Sequence, residues 1–233
     1  MSKYKVLITG KIDCESLKKF EDNPNYETIF YPDPNHEELI QRLDGVHVLI
    51  TRSETVLDKE IIDQGSSLKI IARAAVGVAN IDIPYATKKG ILIFNTPGIN
   101  TNSAAELTWT LLLSMLRKTN KAQDNLKKGG WDRHKYYGYE LKGKKIGIIG
   151  LGNVGHRVAK FAHGFDMNVC GYDPYINPDL FSHYRVKPYK DLEILASEID
   201  ILTVHVPLTK KTKGMIHNKI ISKMKKGSFI LNT

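Results

Sequence analysis

The chain has 233 residues, 34 Lys+Arg against 25 Asp+Glu for a net charge of +9, and only two cysteines. With 42% hydrophobic and 25% charged residues, its composition excludes a disordered, collagen-like or disulfide-stapled chain. No apolar run reaches the roughly 20 residues that span a bilayer, and residues 1–6 lack the apolar stretch of a secretory signal. The expectation is therefore a cytoplasmic protein with no membrane contact.

Lys5-Val6-Leu7-Ile8-Thr9-Gly10 is a short apolar run closed by glycine, which predicts a buried strand. A helix is expected over 14–20, a strand over 26–30, a helix over 34–43 and a strand over 46–51. A short helix over 57–63 and strands over 68–72 and 91–95 follow. Strands alternating with helices imply βαβ units and a parallel sheet. Asn95-Thr96-Pro97-Gly98 is a turn signal, and the main boundary is placed near Gly98.

Ser103-Ala104-Ala105-Glu106 has the form of a capping box, with Ser103 as the N-cap. The helix it opens is apolar on nearly every side through Leu116, which predicts burial on more than one face, by both domains or by a second subunit. Residues 117–145 read as basic and loop-like. A second α/β pattern starts at Lys145, with strands over 145–150, 168–172, 199–204 and 228–232.

Gly150-Leu151-Gly152-Asn153-Val154-Gly155 matches G-x-G-x-x-G directly after an apolar strand and before a helical pattern. Gly150 permits the turn, Gly152 leaves room for a pyrophosphate at backbone N–H groups, and Gly155 lets the helix pack on the sheet. The helix N-terminus offers unpaired donors to the anion. Asp173, 18 residues past Gly155, is placed to accept from ribose hydroxyls. Its charge favours NAD over NADP.

The motifs Gly150–Gly155, Gly171-Tyr172-Asp173-Pro174-Tyr175 and His205-Val206-Pro207-Leu208-Thr209 with Thr212 and Gly214 resemble the D-isomer-specific 2-hydroxyacid dehydrogenases. Upstream, Ala72-Arg73-Ala74-Ala75-Val76-Gly77-Val78-Ala79-Asn80-Ile81-Asp82 and Asn95-Thr96-Pro97, Asn100, Ser103 and Glu106-Leu107 match the same family, in family order. Thr51-Arg52-Ser53 is most similar to its phosphoglycerate branch. The resemblance implies a two-domain α/β fold. A flavodoxin-like substrate domain covers 1–98, and a Rossmann-type doubly wound NAD-binding domain, incomplete at its C-terminus, covers 99–233. It also implies interconversion of a 2-hydroxy and a 2-oxo acid with NAD, 3-phosphoglycerate and 3-phosphohydroxypyruvate being the expected pair. A hydroxypyruvate or glyoxylate reductase and a non-enzymatic NAD-sensing corepressor are the alternatives.

The same resemblance implies residue roles. Backbone N–H groups at Val76 and Gly77 hold the substrate carboxylate, Arg52 and Ser53 contact its phosphate, and Asn100 lies near the substrate on the hinge side. Asn153 and Val154 contact the pyrophosphate, Asp173 takes the adenosine ribose, Val206 and Pro207 wall the adenine, and Thr212 and Thr233 line the cofactor. Two positions depart from the family. Ala75 replaces a glycine in a turn expected to need unusual backbone angles, and Ala79 replaces an aspartate.

The family's chemistry relies on an Arg, a Glu and a His that follow the position of Asn232-Thr233. No catalytic residue is therefore expected among these 233, and the chain is expected to be an N-terminal portion without turnover. Among the remaining candidates, His205 is read as structural or cleft-lining rather than as the proton carrier. His134, His163, His183 and His217 lack zinc spacing, so no metal site is expected. Seven lysines and no acid fall within 201–233, yet no nucleic-acid-binding motif accompanies the charge, so nucleic acid is not an expected partner. The expected partners are a small, anionic, phosphorylated acid and a second copy of the chain through the 103–116 helix.

Overall fold

The computed structural model describes residues 3–233, which fall into two compact units, one reaching Ile99 and the other starting at Asn100. The first holds β1 (Tyr4–Ile8), α1 (Cys14–Glu21), β2 (Tyr26–Phe30), α2 (His36–Arg42), β3 (Val48–Thr51), α3 (Lys59–Gln64), β4 (Ile70–Arg73), α4 (Ile83–Lys88) and β5 (Leu92–Phe94). Its sheet is wholly parallel in the order β2-β1-β3-β4-β5, the flavodoxin-like arrangement. Side chains alternate across each strand. Leu7, Leu49 and Ile71 pack under α2, α3 and α4, while Val6, Ile8 and Ile50 face Leu17 and Phe20 of α1. At the β5 edge Leu92 and Phe94 remain exposed.

The second unit holds α5 (Thr101–Arg117), α6 (Thr119–Lys127), a 3-10 turn (Arg133–Tyr136), β6 (Lys145–Ile149), α7 (Asn153–Gly164), β7 (Asn168–Tyr172), α8 (Asp179–His183), β8 (Lys187–Pro188), α9 (Leu192–Glu198), β9 (Ile201–Val204), α10 (Asn218–Lys223) and β10 (Phe229–Asn232). Its parallel sheet runs β10-β9-β6-β7-β8, which in chain order is the Rossmann arrangement. On one face Ile146, Ile148, Val169, Ile201 and Leu231 pack against Leu112 of α5 and Val158 and Ala162 of α7. On the other, Ile149, Cys170 and Leu202 pack against Leu195 and Ile199. The expected fold class is thus the observed one.

Two local expectations are corrected. The helix expected from Ser103 begins at Thr101 with Asn100 as N-cap and no side-chain cap. The Asn100 carbonyl already accepts from Ala104, so Ser103 lies inside the first turn. A reciprocal capping box forms instead at α2, where Asn35 accepts from the Glu38 N–H and Glu38 from the Asn35 N–H, both at 2.9 Å. Residues 117–145 are not merely loop: α6 starts directly after Lys118, whose left-handed φ of 52° ends α5. None of the residues of α6 is buried, so it carries no apolar stripe to read. On α5 the chain's own packing covers one face. Ala105, Thr108, Trp109, Leu112 and Leu116 are buried, whereas Leu107, Leu111 and Met115 form an exposed apolar stripe.

That division is testable. Leu112→Ala should cost about 3 kcal/mol through the cavity it leaves. Leu111→Ala should cost less than about 1 kcal/mol. Urea unfolding midpoints compare the two, and equal losses would contradict the assignment of the faces.

Candidate functional site

In the second unit the strand order reverses at β6, which has β7 on one side and β9 on the other. The crevice outside the carboxyl ends of the strands at such a reversal is where open α/β sheets bind ligands. Gly150 leaves β6 with φ +85°, a conformation only glycine adopts without strain. A Cβ there would lie 2.6 Å from the His205 carbonyl oxygen. Any Cβ at Gly155 would collide with the Gly150 carbonyl, so α7 lies directly on the turn. Gly152 differs. It is the N-cap of α7, has no side-chain cap, and a Cβ there meets nothing within 4 Å. That face of the first turn, with Asn153 and Val154 in it, is open, and the first N–H groups of a helix have no partner within it.

Around this turn lies a cavity of about 540 Å³ lined by Gly150, Gly152, Asp173, Val206, Pro207 and Thr212, among others. Asp173 holds the loops together. It accepts from the Leu151 N–H at 2.9 Å with one oxygen, and from the Tyr175 and Ile176 N–H groups at 2.9 and 3.2 Å with the other. The opening, the helix N-terminus and the carboxylate suit a dinucleotide. Thr233 is not in this cavity: it follows β10, its hydroxyl 3.0 Å from that of Thr108.

His205 also lines the cavity. Its Nε2 lies 2.8 Å from the Thr203 hydroxyl, and burial pushes its pKa down to about 4. The ring is therefore neutral near pH 7 and is not poised as a proton carrier there.

In the first unit the order reverses between β1 and β3, and Arg52 stands just past β3. Its Nη1 donates to the Lys11 carbonyl at 2.8 Å, its stem fills the space a Cβ on Gly10 would take, and among the described residues its buried Nε has no partner. A cavity of about 690 Å³ lies beside it, lined also by Lys11, Arg73, Asn95 and Thr96. Ser53, Val76 and Gly77 stand outside that lining. Among the described residues, neither the Val76 nor the Gly77 N–H has an acceptor. Ala75 does not adopt a positive φ, so the departure from glycine carries no backbone strain. Asn100 caps α5 in the other unit.

Sequence reasoning missed the residues that fix these loops. Arg73 is only 2% exposed, donating from Nε to the Gly77 carbonyl at 3.0 Å and from Nη1 to the Thr55 carbonyl at 3.2 Å. Burial holds its pKa below the ordinary arginine value, the nearby charge of Glu54 opposing this only in part. Asn80 donates to the carbonyls of Ser53 and Thr55 at 2.8 and 2.6 Å, and Asn95 donates to the Val76 carbonyl at 2.9 Å. The available signal was polar residues inside or beside apolar strands. Among the described residues no group of three His, Cys, Asp or Glu is placed to hold a metal ion, and no helix is long and apolar enough to cross a membrane.

Three outcomes are expected. Gly155→Ala should destabilise the protein by at least about 2 kcal/mol, since its clash is with backbone. Gly152→Ala should melt like the parent while weakening NADH binding; thermal melts and NADH titrations separate the effects. For His205, the folded pKa lies below the ordinary 6.5, so its stability contribution is full above that pH. It is lost as pH falls towards about 4, by roughly 3 kcal/mol in all. Denaturant titrations between those pH values should show this slope, and His205→Gln should flatten it by about one proton.

Residues 109–233 match the family profile described as D-isomer specific 2-hydroxyacid dehydrogenase, NAD binding domain. A D-3-phosphoglycerate dehydrogenase of Methanocaldococcus jannaschii is 40% identical over 228 residues, 98% of this chain and 43% of its own length. The chain thus spans less than half of that relative. A hydroxypyruvate reductase of Thermotoga maritima is 39% identical over 233 residues, all of this chain and 74% of its own. The structure of an NAD+-bound 3-phosphoglycerate dehydrogenase from Entamoeba histolytica superposes with a TM-score of 0.82 at 31% identity, covering 99% of this chain and 72% of that one. Profile, sequence and fold agree, and the chain belongs to the D-isomer-specific 2-hydroxyacid dehydrogenase family.

Proposed function

We propose that the chain serves an NAD-dependent dehydrogenase that interconverts 3-phosphoglycerate and 3-phosphohydroxypyruvate. The observation that carries this reading is Arg52 at the reversal point of the first sheet, with a buried, unpartnered Nε. A guanidinium gives paired donors for phosphate oxygens, and the Ser53 hydroxyl adds a further donor.

Bound NAD would supply one thing, acceptance of a hydride from the substrate C2. The chain's own residues bind and orient. The N–H groups of Val76 and Gly77 take the substrate carboxylate, held in place by Arg73 and Asn95 acting on the carbonyls of the same turn. The first turn of α7 takes the pyrophosphate. Asp173 takes the ribose, and Val206 and Pro207 wall the adenine. Among these 233 residues we assign no proton carrier: His205 is held neutral by burial. The Thermotoga relative's name raises hydroxypyruvate as the competing substrate.

Arg52→Ala decides between them. With NADH present, its affinity for 3-phosphohydroxypyruvate in calorimetry should fall at least about tenfold, the loss of a charged hydrogen-bonding partner. Its affinity for hydroxypyruvate should hold within about twofold. Equal losses for both would remove the phosphate assignment.

A further inference from the structure

The dinucleotide cavity also has lysines in its lining. The loop after β9 is pinned by Thr212, whose hydroxyl donates to the Pro207 carbonyl at 2.6 Å and accepts from the Thr209 N–H at 2.8 Å. At the tip of this loop stand Lys210 and Lys211. Lys211 lines the 540 Å³ cavity and also a second one of about 200 Å³. Both cavities share Asp173, Tyr175, Val206 and Thr212 with it. Its Nζ lies 5.4 Å from the centre of the Tyr175 ring, within range of a cation–π attraction that holds the ammonium over the opening. No acid lies within 201–233, and among the described residues Lys211 has no carboxylate partner.

Asp173 is the other half of the argument. An ionised carboxylate has about four acceptor positions. Three backbone N–H groups already use Asp173. What remains is room for about one more hydrogen bond, not the two of a ribose held by both hydroxyls. The same three amide dipoles offset part of its negative charge. Its preference for an unphosphorylated ribose is thereby weakened, while an unpaired ammonium borders the same space.

We propose that Lys211 is a second determinant of dinucleotide choice, a cation that lets the pocket accept a 2′-phosphorylated ribose as well as a free one. This rests on the dinucleotide reading of the cavity. A lysine is a flexible point charge, able to reach a phosphate at the pocket mouth without a preformed cradle.

The test is titration of the 233-residue chain with NADH and with NADPH, followed by nicotinamide fluorescence, for the parent, Lys211→Ala, Lys211→Glu and Lys213→Ala. The parent should bind NADPH within about tenfold of NADH. The NADPH/NADH ratio of Kd values should rise roughly threefold to tenfold in Lys211→Ala and further in Lys211→Glu, as expected for a nearby partly solvated charge. These increments should shrink in about 0.5 M NaCl. Lys213 lines neither cavity, and Lys213→Ala should leave the ratio unchanged. An unchanged ratio in Lys211→Glu, with NADH still bound, would overturn the assignment to Lys211 alone. Failure of the parent to bind either dinucleotide would overturn the reading of the cavity, and the proposal with it.

Discussion

Strand order that reverses at the centre of a wholly parallel sheet is the constraint on which both units depend. All strands run one way, so every loop that follows a strand lands on the same edge. Where the order reverses, successive loops leave in opposite directions and open a crevice. In the second unit the two sides of that crevice come from β6 and β9, and Gly150 is pressed between them beside the His205 carbonyl. In the first unit they come from β1 and β3, and the Arg52 stem lies across Gly10. One topological rule therefore places a glycine and a functional candidate at each reversal.

What the two crevices do not share is how their loops are held. In the second unit a single carboxylate, Asp173, gathers three backbone amides. In the first, donors gather carbonyls: Arg73, Asn80 and Asn95 each reach a backbone oxygen of a neighbouring loop. Arg73 does so from the core, where an unpartnered guanidinium would carry a heavy desolvation cost. Its hydrogen bonds to two carbonyls make its burial tolerable, and they also fix the turn that presents the Val76 and Gly77 N–H groups.

Much of this was legible in the sequence. Buried parallel strands read as apolar runs, and nearly every strand of both sheets was visible for that reason. The glycine loop was legible because each glycine answers a separate steric demand. Capping was less so. Asn35 and Ser103 each precede a glutamate by three residues, yet only Asn35 forms the box. The difference lies in what comes before: Asn100 already occupies the cap of α5, and the backbone upstream of Ser103 is helical. Lys118 ends one helix and starts the next in a left-handed conformation usually left to glycine, so the junction had no punctuation to read. The tethering by Arg73, Asn80 and Asn95 was invisible for a different cause. It is long-range, and which carbonyl a buried donor meets depends on the loops that topology brings to it.

The multiple duties of Asp173 bear on how such a pocket can change over time. A residue that only recognised a ribose could be exchanged freely when a different nucleotide became advantageous. Here the carboxylate splints the Leu151 and Tyr175–Ile176 segments, so its replacement would loosen the glycine turn as well as alter the cavity lining. Drift in ligand preference is thus steered towards the loop after β9, whose lysine tip bears no structural duty towards that turn and whose shape is kept by its own threonines. The fold separates a part that must stay from a part that is free to vary, and both line one cavity.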